Sequence, residues 1–183
     1  MKKVFGLFFF LAVTGFITLQ AQTYGTRAGK VSFSSDTPME KIEAKNESVS
    51  AVLDAASGAF QFSLQVKGFQ FDKATMQEHF NENYMESGKF PGSSFKGTVT
   101  NIKDVNFSKD GAYPVSVKGA LTMHGVTKEI VSKGVITVKS GVATATSSFN
   151  ITCEDYGIVI PGVVRDKIAK SILIKVNCVL NKM

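Results

Sequence analysis

Alternation between apolar and polar residues is the feature that most constrains the fold of this chain. Residues 142–153, VATATSSFNITC, show it plainly, with a small or apolar side chain at every second position. A period of two is typical of a strand with one face turned to a core, because successive side chains of a strand point to opposite faces. Such runs occur at residues 29–34, 48–53, 59–69, 94–103, 113–123, 126–139, 142–153 and 170–180. The chain is therefore predicted to be all-β and antiparallel.

Turn residues separate these runs, and two segments depart from the alternation. Ser57-Gly58, Asp110-Gly111 and Ser140-Gly141 are typical of tight connections. Residues 72–87, DKATMQEHFNENYMES, are rich in helix formers and predict a helix that its first residue caps, between the third and fourth strands. Residues 37–44, TPMEKIEA, predict a shorter helical turn with a threonine cap.

Eight antiparallel strands with mostly short connections predict a closed up-and-down barrel, since closure leaves no unpaired edge strand. A two-sheet sandwich is the alternative, but the sequence offers no tryptophan for its core and no pair of cysteines placed to cross-link two sheets. The predicted fold is thus an eight-stranded antiparallel barrel, with the one helix near its mouth.

The inner faces that the alternation assigns are almost free of charge. Neighbouring strands place small residues there, namely Gly97, Gly119, Gly134, Ala143 and Ala145. These either leave an apolar hole for one long ligand, or mark bends of the wall while Phe side chains fill the lumen, and periodicity leaves both readings open. For a hollow barrel the candidate ligand-binding residues are Phe33, Phe60, Phe62, Leu64, Met76, Phe80, Phe90, Phe95, Val117, Gly119, Leu121, Gly134, Ile136, Ala143, Ala145, Phe149 and Ile174.

Residues with catalytic or metal-binding chemistry are few and scattered. His124-Gly125 stands between two alternating runs and predicts a two-residue hairpin turn with an exposed histidine, while His79 falls in the predicted helix. Besides two cysteines, the inner faces carry only Ser132 and Ser147 as polar groups. No nucleophile, metal-binding or phosphate-loop motif occurs in the sequence. We therefore expect a protein that is not an enzyme and needs no metal or other cofactor.

The cysteines, Cys153 and Cys178, are predicted to stay reduced. Both fall on inner faces of the last two strands, but antiparallel pairing separates them by about seven residues, or roughly 23 Å at strand rise. A disulfide needs Cα atoms within about 7 Å.

The first 21 residues have the composition of a secretory signal peptide. Lys2 and Lys3 precede a long apolar stretch, and Ala21 supplies a small residue for cleavage. A membrane anchor is the alternative, although the stretch is short for a span. Residues 1–21 are thus predicted to be removed, leaving residues 22–183 as one barrel domain in the periplasm or outside the cell.

The charge balance is mildly basic. The 21 Lys and Arg side chains outnumber the 15 Asp and Glu side chains without forming a dense run. This pattern predicts no nucleic-acid partner and at most a weak, transient contact with anionic membrane surfaces. It leaves the oligomeric state open.

Three stretches resemble the YceI-like family of exported, polyisoprenoid-binding proteins. Residues 118–130, KGALTMHGVTKEI, are similar to that family's G-x-L-T-x-x-G-V-T-K hairpin. Residues 76–97, MQEHFNENYMESGKFPGSSFKG, resemble its helix and the Phe-Pro segment that leads into a strand. Residues 149–182 resemble its closing strands. The chain departs from the family in a shorter first strand that lacks a following histidine, and in residues 37–48.

The resemblance implies a lipocalin-like barrel in the periplasm, without established catalytic activity. Its lumen would hold a polyisoprenoid, a quinone or a fatty-acid-like chain, for carriage or sequestration. A filled barrel that acts through its surface, and a barrel enzyme that modifies a lipid, are the alternatives.

Overall fold

One antiparallel sheet forms the wall of the molecule in this computed structural model, which describes residues 22–183. Its strands are β1 Thr23–Asp36, β2 Lys41–Asp54, β3 Ala59–Gln65, β4 Gln70–Phe71, β5 Gly92–Val99, β6 Gly111–Met123, β7 Val126–Lys139, β8 Val142–Thr152 and β9 Ser171–Lys182. They follow the order β1-β9-β8-β7-β6-β5-β3-β2-β4, and β1 also pairs with β2. The sheet therefore closes into the predicted eight-stranded barrel, to which β4 adds a two-residue extension. The predicted signal peptide lies outside the described residues.

The predicted helix lies between β4 and β5 and is shorter than its sequence pattern suggests. Helix α1 covers Ala74–His79 and continues as one π-helical turn over Phe80–Tyr84. Its N-cap is Lys73, and no side chain caps it, so the predicted Asp72 cap does not form. A helix this short is stabilised by what it packs against rather than by its own termini.

The predicted helical turn at residues 37–44 is wrong, because a hairpin joins β1 and β2 there. The Thr37 N–H donates to the Glu40 carbonyl at 3.1 Å, and the Thr37 hydroxyl accepts the Glu40 N–H at 3.1 Å. Ile42 and Ala44 then alternate towards the interior of the barrel. The threonine pattern thus closes a tight turn, since burying the inward positions of a long strand outweighs the weak preference for a short helix.

The third predicted strand is also interrupted. It was expected over residues 59–69, but β3 ends at Gln65 and Val66–Gly68 forms a 3₁₀ turn. The fully buried Asn46 of β2 donates its side-chain N–H to the Gln65 carbonyl at 2.9 Å. This side chain therefore takes the place of the strand pairing that ends at Ser50 and Ser63.

The small inner-face residues allow close approach of the backbone and do not create open space. Gly97 and Gly119 lie opposite each other on β5 and β6, and a Cβ on Gly119 would lie 2.4 Å from the Gly97 Cα. A Cβ on Gly134 would lie 2.6 Å from the Thr146 carbonyl oxygen. The alternation left two explanations for these glycines, an apolar hole for a ligand or bends of the wall. The close contacts favour bends of the wall.

The end of the barrel where β1 begins and β9 ends is filled by its own side chains. Leu53, Ala143, Cys178 and Leu180 are almost completely buried there. A Cβ on Gly29 would lie 2.8 Å from the Cys178 sulfur, so this glycine admits the thiol into the core. We call this region the filled end. Its buried residues are Tyr24, Ala51, Leu53, Val99, Ile102, Val105, Val115, Ile136, Val138, Ala143, Cys178 and Leu180.

Both cysteines are free within the described chain, and the strand register confirms their predicted separation. The β8–β9 register pairs Ala145 with Cys178 and Thr152 with Ser171, so the thiols lie towards opposite ends of the barrel. Burial raises the pKa of Cys178 to about 11, and burial followed by the charge of Glu154 raises the pKa of Cys153. Both thiols therefore remain protonated and weakly nucleophilic near neutral pH.

Candidate ligand-binding cavity

The opposite end of the barrel encloses an apolar cavity of about 460 Å³. Inner faces of the strands form its wall, and α1 with the turn after it lies at its mouth. The predicted binding residues that line this cavity are Phe33, Phe60, Phe62, Leu64, Met76, Phe80, Phe95, Val117, Leu121, Phe149 and Ile174. Their contact with a ligand stays a prediction.

The other predicted binding residues do not line the cavity. The glycines among them stand at close approaches of the backbone, and the aliphatic residues belong to the filled end or pack against it. The Phe90 ring instead packs edge-on against the His124 ring, with centroids 4.7 Å apart. The residues that do not line the cavity are Phe90, Gly119, Gly134, Ile136, Ala143 and Ala145.

We call α1 together with the residues after it, up to Glu86, the helical segment. A cluster of Phe side chains holds this segment against the mouth of the barrel. The Phe80 ring stacks on Phe33 of β1 at 5.4 Å and meets Phe71 and Phe69 at 5.0 and 5.6 Å between centroids. Met76, one helical turn earlier, also lines the cavity. Met76 and Phe80, both predicted as ligand-binding residues, therefore face the lumen from one side of the helical segment, and aromatic contacts fix the position of the Phe80 ring.

Residues 153–170 form a second segment that covers the cavity, in addition to the helical segment. The sequence did not predict this role. Ile158 and Ile160 line the cavity, and Ile158 packs with Tyr156 and Met85 of the helical segment. Val159, between the two isoleucines, is 77% exposed. The alternation of Ile158, Val159 and Ile160 is a signal of this inward face in the sequence, although the glycines and the proline beside it are typical of a connection between strands.

His124 occupies the predicted turn, but its side chain is only 10% exposed, so the prediction of an exposed histidine is wrong. The φ angles of His124 and Gly125 are 50° and 75°, as a two-residue hairpin turn requires. The ring Nδ1 lies 3.0 Å from the Tyr156 carbonyl oxygen, and Nε2 lies 2.9 Å from a carboxylate oxygen of Glu86. His124 therefore fastens both covering segments to the β6–β7 turn.

Both groups that contact the His124 ring, a backbone carbonyl and a side-chain carboxylate, offer acceptor oxygens. Glu86 itself has a φ angle of 43°, a conformation that a residue other than glycine keeps only when its surroundings hold it.

Few polar groups reach the cavity. The Ser132 and Ser147 hydroxyls lie 2.7 Å apart, and the Ser147 hydroxyl donates to the Lys133 carbonyl at 2.9 Å. Glu40, His79 and Lys167 also line the cavity. Most of the remaining lining residues are aliphatic or aromatic, so the site offers an apolar chain many contacts and few hydrogen-bond partners.

Two further observations concern the described residues alone. Over residues 22–183, no group of three or more His, Cys, Asp or Glu side chains is arranged to hold a metal ion. Within the same range, no helix is long and apolar enough to cross a membrane.

A closed eight-stranded barrel with a covered apolar cavity at one end defines a barrel of the ligand-binding type. The profile of the YceI-like domain family matches residues 14–180, and the chain belongs to this family. This confirms the resemblance. A comparison with curated protein sequences gave no match.

Solved structures of low sequence identity share the fold. A polyisoprenoid binding domain from Saccharophagus degradans, implicated in plant cell wall breakdown, has a TM-score of 0.76 at 13% identity, over 89% of this chain and 99% of that one. BcnA of Burkholderia cenocepacia has a TM-score of 0.69 at 16% identity, over 83% and 95%. The YCEI protein of Campylobacter jejuni has a TM-score of 0.57 at 16% identity, over 76% and 84%.

Proposed function

We propose that this protein binds one long apolar or amphiphilic lipid chain in the cavity and holds it for carriage or sequestration. A polyisoprenoid, a quinone tail or a fatty-acid-like chain fits this description. The apolar character of a covered cavity of about 460 Å³ is the observation that carries the proposal, because cavities of roughly 300–1,000 Å³ are typical ligand sites. The polyisoprenoid-binding relative from Saccharophagus degradans supports the same class of ligand.

The energetics favour a chain over a compact polar ligand. Each buried methylene group contributes about 0.8 kcal/mol, so ten of them contribute about 8 kcal/mol before the entropy of association is subtracted. A polar ligand would instead lose hydrogen bonds to water and find few partners among the side chains that line the wall.

We also propose that the protein acts after export. The basic start, the apolar stretch and Ala21 support a signal peptide over residues 1–21. N-terminal sequencing of the protein isolated from a cell-envelope or secreted fraction is expected to give Gln22 as the first residue. A mature chain that keeps residues 1–21 and resists extraction from membranes would instead indicate an anchor.

Native mass spectrometry of freshly purified protein, followed by lipid extraction, tests the binding function directly. We expect one lipid molecule per chain, and a variant with Val117→Phe is expected to lose it because the added ring occupies the lumen. Lys118→Phe is the matched control, since Val117 lines the cavity whereas the next residue is exposed on the outer face.

Two outcomes would contradict the proposal. Absence of lipid from wild type, together with no binding of added polyprenyl or fatty-acid chains, would favour a barrel that acts through its surface. Equal lipid content in the Val117→Phe and Lys118→Phe variants would place the lipid outside the cavity. Phe80→Ala is expected to speed lipid release, because Phe80 is central to the cluster at the mouth.

A further inference from the structure

The barrel wall is incomplete beside the cavity, between β7 and β8. These strands pair from Lys139 and Val142 to Gly134 and Ser147, and no further pairing joins them in the described chain. Each strand nevertheless continues towards the mouth, held by its other neighbour: β7 pairs with β6 as far as Val126. In the same way β8 pairs with β9 as far as Thr152. A window thus separates residues 129–133 from residues 148–151.

Hydroxyl groups form the lower edge of this window. Where the strand pairing stops, the Ser147 hydroxyl donates to the Lys133 carbonyl at 2.9 Å, and the Ser132 hydroxyl lies 3.2 Å from the same oxygen. The two hydroxyls therefore satisfy the Lys133 carbonyl, at the position where the β7–β8 pairing would otherwise continue. Thr146 of β8 approaches Gly134 so closely that only glycine fits there.

An ion pair closes the upper edge of the window. The Lys128 Nζ of β7 lies 2.9 Å from one Asp155 carboxylate oxygen. The Thr152 hydroxyl donates to the other oxygen at 2.5 Å. The side chains of this upper edge are about half exposed, so the closure is a reversible surface contact.

The window lies between the cavity on the inside and a groove on the outer wall. On the inside, Ile130 of β7 with Phe149 and Ile151 of β8 line the cavity. Outside, Lys133, Ser148 and other residues line the groove. The residues that border both the cavity and the groove are Val31, Ser147 and Val176.

Basic side chains line this groove. Lys45 and Lys175 flank Ser32 in the strand register, and both line the groove with Lys133 and Lys30. The one acidic side chain among the lining residues, Glu47, is paired with Lys30 at 2.8 Å. The groove therefore carries a net positive charge and several hydroxyl groups, which suits a carboxylate or phosphate.

We propose that the window between β7 and β8 is a lateral portal of the cavity, through which an apolar chain enters while an anionic head group stays in the outer groove near Lys133 and Lys175. This inference rests on the proposed lipid-binding function. It assigns a ligand class, an anionic amphiphile, and an entry route that avoids the Phe cluster at the mouth.

A disulfide across the window tests the route. Val131 and Asn150 face outwards on the two separated strands, so Val131→Cys with Asn150→Cys is designed to join them, in a Cys153→Ala background. The control, Ala120→Cys with Glu129→Cys, joins β6 and β7 where they already pair. Loading and release of cis-parinaric acid are followed by its fluorescence, before and after reduction with dithiothreitol.

We expect the oxidised window variant to load and release the probe at least about tenfold more slowly than its reduced form, with rates restored by reduction, whereas the control changes less than about twofold. Wild type that does not bind the probe would contradict the proposed function itself. Wild type that binds, with rates unaffected by the window disulfide, would overturn the portal alone.

Hydrogen exchange provides a second measurement if the disulfide does not form. Amides of residues 129–133 and 148–151 that point into the window are expected to exchange rapidly in the lipid-free protein and more slowly after loading. Exchange there as slow as in the β6–β7 ladder, without lipid, would overturn the portal.

The head-group site is tested with a charged and a neutral probe. Lys133→Glu with Lys175→Glu is expected to weaken binding of cis-parinaric acid about tenfold and to leave its methyl ester unchanged. Lys103→Glu with Lys109→Glu, between β5 and β6 at the filled end, is the control and is expected to change neither. Equal effects on acid and ester would place the head group elsewhere.

Discussion

The two ends of this barrel are built from the same alternating pattern, yet one is filled and the other is hollow. At the filled end, small residues such as Ala143 and Gly29 let Leu53, Cys178 and Leu180 pack together with almost no exposure. At the hollow end the inner faces carry Phe and Ile, which are larger, and a cavity of about 460 Å³ remains. Side-chain size alone therefore does not decide which end is open.

The difference lies in how closely the backbones approach. At Gly134, where their pairing ends, β7 and β8 approach so closely that a Cβ would lie 2.6 Å from the Thr146 carbonyl oxygen. Towards the mouth, β7 and β8 separate, and covering segments replace part of the wall. Large side chains at this end line the space rather than meet across it.

The largest expected effect is a difference in the free energy of unfolding when the same substitution is made at each of the two ends. Leu53→Ala, in the filled end, is expected to lower the free energy of unfolding by about 2–5 kcal/mol, because it leaves a new cavity in a packed core. Leu121→Ala is expected to lower it by about 1 kcal/mol, because Leu121 is only partly buried and already borders a cavity. Urea unfolding measures both, and equal losses would remove the distinction between the ends.

The next effect concerns the buried thiol of the filled end at alkaline pH. Burial raises the pKa of Cys178 from 9.0 to about 11, so the folded protein keeps this proton to a higher pH than the unfolded chain. Its contribution is complete below about pH 9 and is lost as the pH rises towards 11, by about 2–3 kcal/mol in total. Unfolding curves against pH measure this decline.

Two cysteine variants separate the thiol from other groups that titrate at alkaline pH. Cys178→Ala is expected to have a shallower decline between pH 9 and 11 than wild type. Cys153→Ala is expected to keep most of the decline in stability between pH 9 and 11, because Cys178 is still present. A Cys178→Ala curve parallel to that of wild type would show that the decline has another source.

A smaller effect concerns the covers of the hollow end. His124→Asn keeps a turn that asparagine and glycine also suit, but loses the links to Tyr156 and Glu86. We expect stability to fall by about 1–2 kcal/mol and bound lipid to leave faster. Glu78→Gln, a change at an exposed helix residue that does not line the cavity, is the control and is expected to alter stability little. Unchanged release in the His124 variant would mean that the covers do not depend on this contact.

The smallest effect is expected at the upper edge of the window. The Thr152 hydroxyl, and then Lys128, hold the pKa of Asp155 below its usual value of 3.8. This contribution is present above the usual pKa and is lost as the pH falls through the lowered pKa of the folded state. Asp155→Asn is therefore expected to be slightly less stable than wild type at pH 7 and to match it under strongly acidic conditions, as measured by thermal unfolding.

Glu154→Gln changes the neighbouring carboxylate and serves as the control for Asp155→Asn. It is expected to leave the rate of probe loading unchanged, whereas Asp155→Asn is expected to increase that rate by freeing the window. Identical loading rates in both variants would mean that the ion pair does not limit passage.

Alternation predicted the barrel and many of its inner faces, because burial of one face of a strand is recorded in every second residue. It also placed Phe33, Phe62, Leu121 and Ile174, all of which line the cavity. The predicted turn at His124-Gly125 was confirmed as well, since positive φ angles at those two residues are a local property.

Local pattern did not reveal where the cavity lies or what His124 contacts. Period-two alternation gives each residue a face but no distance to the opposite wall, so Ala145 and Phe149 looked equivalent although only Phe149 lines the cavity. The partners of His124 lie 32 and 38 residues away along the chain. Only closure of the barrel brings them together, and only the separation of β7 from β8 leaves space beside Phe149, because both depend on the spacing of backbones that are distant in sequence.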